Sequence, residues 1–439
     1  MKLPHPVLLL LGGIVLAAVL TWVLPAGEFE RRDDPATGRS LVVAGTYHRV
    51  APAPVGPLGA LVAVPRGMVA AAEVIISILL VGGALALVER LGTLRRGAQA
   101  MVRAFHGRGT LALIPVCIVF ATFGALENMQ EEVIALVPVL LVLGRGLGVD
   151  PLTMVAASTG AAAVGSAFGP SNPYQAGIAL KLAQLPLLSG AGLRMVLLLV
   201  GLAIWIALTA HYASRHPVER SDADTSTVES LTGRDLVILG LVVAPLATYV
   251  VGVLTLDWGF NELSAVFFLA ALIIGVIGGL GASGSTAAYL KGMEAMVAAS
   301  ILVGVARGIS VVLTDGRVID TIVQALASPL FGKPPVIAGI LMVPIHAIIH
   351  LPVPSVSGQA ALTMPILIPL SDLIGLSRQA AVLAYQTGAG LAELLVPTNG
   401  ALMAILLAAG VPYTQWFRFA IRGFVLLCLV GIAGILVAA

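Results

Sequence analysis

Two short segments place proline, a hydroxyl residue and asparagine inside long apolar runs: Gly169-Pro170-Ser171-Asn172-Pro173 and Pro397-Thr398-Asn399-Gly400. Proline removes a backbone donor and stops an incoming helix. The oxygens of Ser171, Asn172, Thr398 and Asn399 can coordinate a cation, and the amide N–H groups can hold a carboxylate. The helix restarting after each break turns its positive end toward the gap, which favours an anionic group. For one such segment alone, a proline kink capped by its own asparagine is an equal alternative. Two in register favour a binding site.

The register is regular. Asn399 follows Asn172 by 227 positions (399 − 172), and Pro397 with Pro170, Pro365 with Pro138 and Gly375 with Gly148 keep the same offset. The stretches VPVLLVLGRGLGVDPLTM (137–154) and MPILIPLSDLIGLSRQAA (364–381) align without gaps. Abundant glycine and proline do not account for the shared asparagine, so the chain reads as two copies of one unit.

Each copy carries a second polar segment ahead of its break, Glu127-Asn128-Met129-Gln130-Glu131-Glu132 and Pro352-Val353-Pro354-Ser355-Val356-Ser357-Gly358-Gln359. These read as the tips of re-entrant hairpins, 109–147 and 335–375. A charge at mid-bilayer costs at least about 2.5 kcal/mol on insertion scales, so Glu131 and Glu132 are functional candidates. They suit an amino group of the substrate or a proton. Asn128, Ser355, Ser357, Gly358 and Gln359 would add polar contacts. A full span in place of the first hairpin would leave this tip as an ordinary loop in water.

Other ionisable residues in apolar surroundings are Glu73 and Arg307, in matching spans and able to pair, and Glu393, one turn before the second break. Glu393 fits either the site or a scaffold pair. His346 and His350 have a metal-like spacing but no third ligand nearby and no HExxH pattern, so no metal is expected and His350 is kept as a candidate substrate contact. No phosphate loop, serine–histidine arrangement or nucleotide motif occurs. No cofactor is expected beyond Na+ or H+ as a coupling ion.

These groups need a membrane to position them. Of 439 residues, 59% are hydrophobic and 10% charged, against roughly 25% charged in soluble domains. A net charge of +2 gives no footing for nucleic acid. Cys117 and Cys428 both lie in apolar runs and read as small buried hydrophobes. Segments 6–25, 68–89, 190–212, 234–254, 262–281, 292–313 and 416–438 are long enough to span, the first being read as a retained helix and not a signal peptide. Interrupted runs cover 109–126, 132–147, 151–184, 335–351, 359–375 and 378–410. Arg90, Arg95, Arg96, Arg103 and Arg108 mark 89–108 as cytoplasmic. That puts the N-terminus in the cytoplasm, loop 26–66 outside and linker 213–233, with Arg215 and Arg220, inside. Counting crossings from there makes the second half inverted, which is the build of secondary carriers. Stretches 93–105 and 318–328 read as amphipathic helices along the interface.

Segments TWVLPAGEFERR, AAEVIISILLVGGA, GPSNPYQAGIA and the block from SVSGQAALTMPILIPLSDLIGLSRQAAVLAYQ to PTNGALMAILLAAGVPYTQW resemble the YfcC family, in the DcuC-like group of a wider ion-transporter superfamily. The likeness runs over nearly the whole chain. It implies an elevator-type carrier with a dimeric scaffold and a mobile domain of hairpins and broken helices. It implies substrates among C4-dicarboxylates, other carboxylates, or amino acids such as arginine and ornithine. It also implies that Ser171-Asn172 and Thr398-Asn399 bind sodium and a substrate carboxylate. The chain departs at Thr387-Gly388-Ala389-Gly390, where relatives often carry an acid between the glycines, which weakens the case for sodium coupling in that half.

The expected protein is an all-α polytopic membrane protein, an inverted-repeat elevator-type transporter of a small carboxylate, in the bacterial inner membrane and working as a homodimer among lipid. The alternatives are a basic amino-acid exchanger and, in other classes, a channel-like pore or an intramembrane metal enzyme. Its expected divisions are 1–66 (first helix and external loop), 67–212 (first repeat), 213–233 (linker) and 234–438 (second repeat).

Overall fold

The structure is a computed structural model and describes residues 6–34, 39–104, 109–218, 231–256 and 258–439. Arg108, Arg220 and most of the 213–233 linker lie outside the described residues. Among those described, eight helices are long and apolar enough to cross a membrane. The outer surface is apolar, with Val276 83%, Val69 77% and Trp22 66% exposed, as lipid requires and water would not tolerate over such an area. The chain is a mostly helical polytopic membrane protein, all-α but for two short strand pairs.

The first helix, α1 (Pro6–Val23), packs its Leu10, Ile14 and Ala17 face inward. The polar stretch after it is more ordered than an open excursion. Strand β1 (Gly27–Glu28) pairs with β4 (His48–Arg49), and β2 (Arg31–Asp34) with β3 (Arg39–Val42), both antiparallel. Helix α2 (Pro57–Ala70) follows and takes up the end of the expected external loop. It stops at Ala71 before α3 (Ala72–Arg90). Glu73 is therefore in the first turn of α3 and exposed, not deep within a span. It accepts from Asn261 at 3.3 Å and makes no ion pair with Arg307 among the described residues.

Short helix α4 (Thr93–Ala104) precedes the first helical hairpin, α5 (Gly109–Glu127) and α6 (Glu131–Leu147). The next crossing runs through α7 (Pro151–Val155), a π-helical turn (Ala156–Gly160) and α8 (Ala161–Phe168), then breaks at 169–172. It resumes as a π turn (Pro173–Gly177) and α9 (Ile178–Leu182), and α10 (Ala191–Arg215) closes the half. Helices α5 and α8 touch backbone to backbone: a Cβ on Gly124 would lie 2.0 Å from the Ala162 carbonyl oxygen, and one on Gly165 1.9 Å from that of Ala121. Small residues at such contacts let membrane helices approach closely where no hydrophobic force drives them together.

The second half opens with α11 (Gly233–Leu256), α12 (Phe260–Gly278) and α13 (Gly281–Asp315). Helix α13 has 35 residues, about 52 Å at the α-helical rise, so it outreaches the hydrocarbon and absorbs the turn expected near 282–291. Short helix α14 (Ile319–Ala327) precedes the second hairpin, α15 (Pro335–Ile349) and α16 (Val356–Ile374). Helix α17 (Arg378–Tyr385) passes through a π turn (Gln386–Gly390), breaks before Asn399, and resumes as α18 (Gly400–Ala408). Helix α19 (Tyr413–Ala438) ends the chain.

The repeated landmarks share local geometry. Gly148 and Gly375 both end a hairpin helix in the left-handed region, at φ 72° and 75°, where a side chain would be strained. Pro138 and Pro365 both lie inside the preceding helix. Asn172 and Asn399 both cap the helix that restarts after a break. The two short helices α4 and α14 are each tied down by a buried aspartate. Asp235 accepts from Thr93 and Arg96, each at 2.7 Å, and Asp320 accepts from the Phe29 backbone at 2.9 Å and Arg31 at 2.8 Å.

Candidate functional site

Tip one turns out of α5 at Asn128, which takes a left-handed φ of 62°, a conformation that asparagine tolerates better than most residues. The turn folds the tip into protein: Met129 is fully buried, and Glu127, Gln130 and Glu132 nearly so. Asn128 and Glu131 stay half-buried. Its Gln130 reaches the second half of the chain, donating to Glu393 and accepting from the Asn399 amide at 3.2 Å. Glu132 accepts from the Gln130 backbone N–H at 3.1 Å, so one acid of the tip braces the turn.

These contacts close one wall of a cavity of about 350 Å³. Tip one contributes Glu127, Asn128, Gln130, Glu131 and Glu132. Tip two contributes Pro354, Ser355, Val356 and Ser357, while Glu393 and Asn399 come from either side of the second break. Of the candidates read from the sequence, Asn399, Glu131, Glu132, Asn128, Ser355, Ser357 and Glu393 thus meet around one space. Asn399 caps α18 through its oxygen, which accepts from the Leu402 N–H at 3.2 Å.

The first break is built differently. Asn172 is fully buried and does not line the cavity. Its oxygen accepts from the Tyr174 and Gln175 N–H groups, both at 3.0 Å, and its amide donates to the Gly124 carbonyl at 2.9 Å and to Ser166 at 3.2 Å. That is the self-capped proline break, with no group left for a ligand in this conformation. Ser166 also bonds Asn128, so Asn172 bears on the cavity through the tip. The hydroxyls of Ser171 and Thr398 do not face the cavity either. They donate to backbone carbonyls, Ser171 to Ala125 at 3.3 Å and Thr398 to Leu351 at 2.7 Å. Gly358 lines a neighbouring cavity of about 310 Å³, shared with Ser355 and Arg307. Gln359 and His350 are fully buried behind tip two and bond each other at 2.9 Å.

Among the contributors not singled out for the site from the sequence are Gln130 and Glu127 of tip one, Tyr174, just past the first break, Tyr249 in α11, and Phe260 at the start of α12. The two α11–α12 aromatics carry no signal in an apolar run. Arg307, which from the sequence could pair with Glu73, is the one basic side chain among the described residues that line the cavity. Five glutamates line the same space: Glu73, Glu127, Glu131, Glu132 and Glu393. Both carboxyl oxygens of Glu127 are buried without a hydrogen-bond donor among the described residues. Buried acceptors left unmatched cost about 1–3 kcal/mol or more, so a cationic ligand that donates to them would be bound by what the protein lacks.

A larger groove of about 700 Å³ lies between α3, α12 and the start of α13. No charged side chain is among its lining residues, which suits no charged metabolite.

The DcuC family model, described as C4-dicarboxylate anaerobic carrier, matches residues 3–439. The chain belongs to the DcuC family. Among DcuC relatives, YfcC of Escherichia coli (strain K12), whose name assigns it provisionally to the basic amino acid antiporters, is 30% identical over 95% of this chain and 92% of its own. An uncharacterized protein of Haemophilus influenzae is 26% identical over 98% and 95%. Two solved transporters align at 17% identity: Alcanivorax borkumensis YdaH with a TM-score of 0.45 over 99% of this chain and 98% of its own, and Neisseria gonorrhoeae MtrF, a member of a class of antimetabolite efflux pumps, with 0.44 over 99% and 94%. As a DcuC member this chain is a multi-pass membrane transporter.

Proposed function

We propose that this chain is a secondary carrier that exchanges amino acids with a cationic side chain across the bacterial inner membrane. The observation that carries the reading is the charge balance of the cavity: five glutamates, one of them with both oxygens unmatched, against one arginine. An amino acid such as arginine or ornithine meets both signs. Its carboxylate pairs with Arg307 and the Ser355, Ser357 and Asn399 groups. Its side-chain cation goes to Glu127 and Glu131. A C4-dicarboxylate would bring two more negative charges to five carboxyls and would need protons or sodium to neutralise them. The name of the YfcC relative agrees with the amino-acid reading. The description of the family agrees with the dicarboxylate one.

The mechanism is alternating access. The two copies, 67–212 and 234–438, are inverted relative to each other, with the hairpins and broken helices as the moving elevator part and the remaining helices as a scaffold that pairs in a homodimer among lipid. The shared local geometry of the repeat landmarks supports this arrangement. The N-terminus faces the cytoplasm, by the arginines of 89–108, and α4 and α14 lie along the two membrane surfaces.

Counterflow in proteoliposomes tests the substrate. Internal L-arginine or L-ornithine is expected to stimulate uptake of labelled L-arginine, and succinate to leave it unchanged. No uptake of labelled L-arginine, with labelled succinate taken up and trans-stimulated by internal succinate, would return the reading to a dicarboxylate carrier. Uptake that neither saturates nor responds to internal amino acid or to a pH gradient would mean a pore.

A further inference from the structure

Behind the cavity lie two fully buried histidines that substrate binding does not use. Their protonation can be read from the bonds around Gln359. The Gln359 amide nitrogen donates to the His346 backbone carbonyl at 2.8 Å. A carbonyl only accepts, so the amide orientation is fixed and its oxygen faces His350 Nδ1, 2.9 Å away. His350 Nδ1 must therefore carry a hydrogen. The same amide nitrogen faces His346 Nδ1 at 3.2 Å, so His346 accepts there and keeps its hydrogen on Nε2. Both Nε2 atoms are buried with no hydrogen-bond partner among the described residues, but they differ: His346 Nε2 carries a hydrogen, whereas His350 Nε2 is bare and lies 3.9 Å from Glu393 Oε1. That gap is about 1 Å longer than a hydrogen bond. The other oxygen of Glu393 is held by Gln130, so the carboxyl cannot turn away freely.

We propose that His350 and Glu393 form one proton-binding unit at the cavity wall, and that its proton is exchanged for the cationic substrate. With one proton between Nε2 and Oε1 the pair is neutral, whichever atom holds it. Without it, a bare nitrogen faces a carboxylate, and the pair adds one negative charge to a cavity that Glu393 lines. Glu127, Glu131 and Glu132 on tip one and Arg307 on α13 face the unit from the cavity side. His346 and Tyr385, in edge contact with ring centroids 5.3 Å apart, back it. Glu73, Tyr174 and Tyr249 also line the cavity. Loss of the proton favours a cation in the cavity, and arrival of the cation favours loss of the proton. The two effects are equal by linkage. The proposal rests on the exchange reading above, and it makes the proton, not sodium, the counter-ion.

The test needs no substrate, so its outcome is separate from that of arginine counterflow. The full-length chain is reconstituted on a solid-supported membrane, without sodium or amino acid, and the current after a pH jump is recorded. The wild type is expected to give a transient charge movement, and Glu393→Gln and His350→Gln each to lose most of its amplitude. Undiminished currents in both variants would overturn the assignment. Should the variants fail to fold, the wild type still decides: no current on a pH jump, or a current only when sodium is stepped at constant pH, would also overturn it.

Discussion

Asn399 and Gln130 stand 269 residues apart in the chain and bond at 3.2 Å. That bond joins the restart of the second broken helix to the tip of the first hairpin, and with Glu393 on the same glutamine it closes the cavity across the two halves. Removing the glutamine should open both contacts at once. Gln130→Ala is expected to leave Glu393 and Asn399 unmatched, at about 1–3 kcal/mol for each buried group, and to abolish L-arginine counterflow. Retained wild-type exchange in folded protein would mean the junction has no bearing on transport.

The two asparagines at the breaks should separate in phenotype. Asn172 is consumed by four bonds to its surroundings, so Asn172→Ala loses a helix cap and buried partners. A stability loss of about 1–3 kcal/mol follows, seen as a lower melting temperature in detergent. Asn399→Ala keeps more of the fold and loses transport. Equal melting temperatures for Asn172→Ala and wild type would contradict the cap.

Arg307 should set affinity for the substrate carboxylate. A hydrogen bond to a charged group is worth about 1.5–3 kcal/mol, or roughly 10–100-fold in an equilibrium constant. Arg307→Gln is expected to raise the KM for L-arginine by that factor with little change in melting temperature. An unaltered KM would remove the arginine from the site.

The α5–α8 contact should not tolerate a methyl group. Gly124→Ala would place a carbon 2.0 Å from a backbone oxygen, and neither helix can yield without disturbing Asn172. The variant is expected to aggregate on size-exclusion chromatography. Gly192→Ala, in open space, is expected to elute as the wild type does.

Most of the long apolar helices, the helix pairs α5–α6 and α15–α16, both breaks and the short helices α4 and α14 were legible in the sequence, because lipid demands long apolar runs and every proline or polar interruption inside them stands out. The tip acids and Asn399 were legible for the same reason. What could not be read was direction. Nothing in Pro170-Ser171-Asn172 says that the asparagine turns back on its own helix while Asn399 reaches the cavity. Glu73 looked interior because α2 and α3 form a near-continuous apolar stretch, and the break at Ala71 carries no proline or glycine. The start of α13 looked like a turn because Gly281, Ser283, Gly284 and Ser285 are turn residues in isolation. Tyr249 and Phe260 entered the site through packing alone.

Protection from alkylation tests most directly whether substrate sits in the cavity between the two tips and the second break. Cys117 and Cys428 are replaced by alanine, and a single cysteine is introduced as Ser357→Cys in the cavity or as Thr286→Cys in the apolar groove. Maleimide labelling of each is followed with and without L-arginine. L-arginine is expected to slow labelling at position 357 and leave position 286 unaffected. An unchanged rate at 357, with L-arginine bound by the same preparation, would contradict the site.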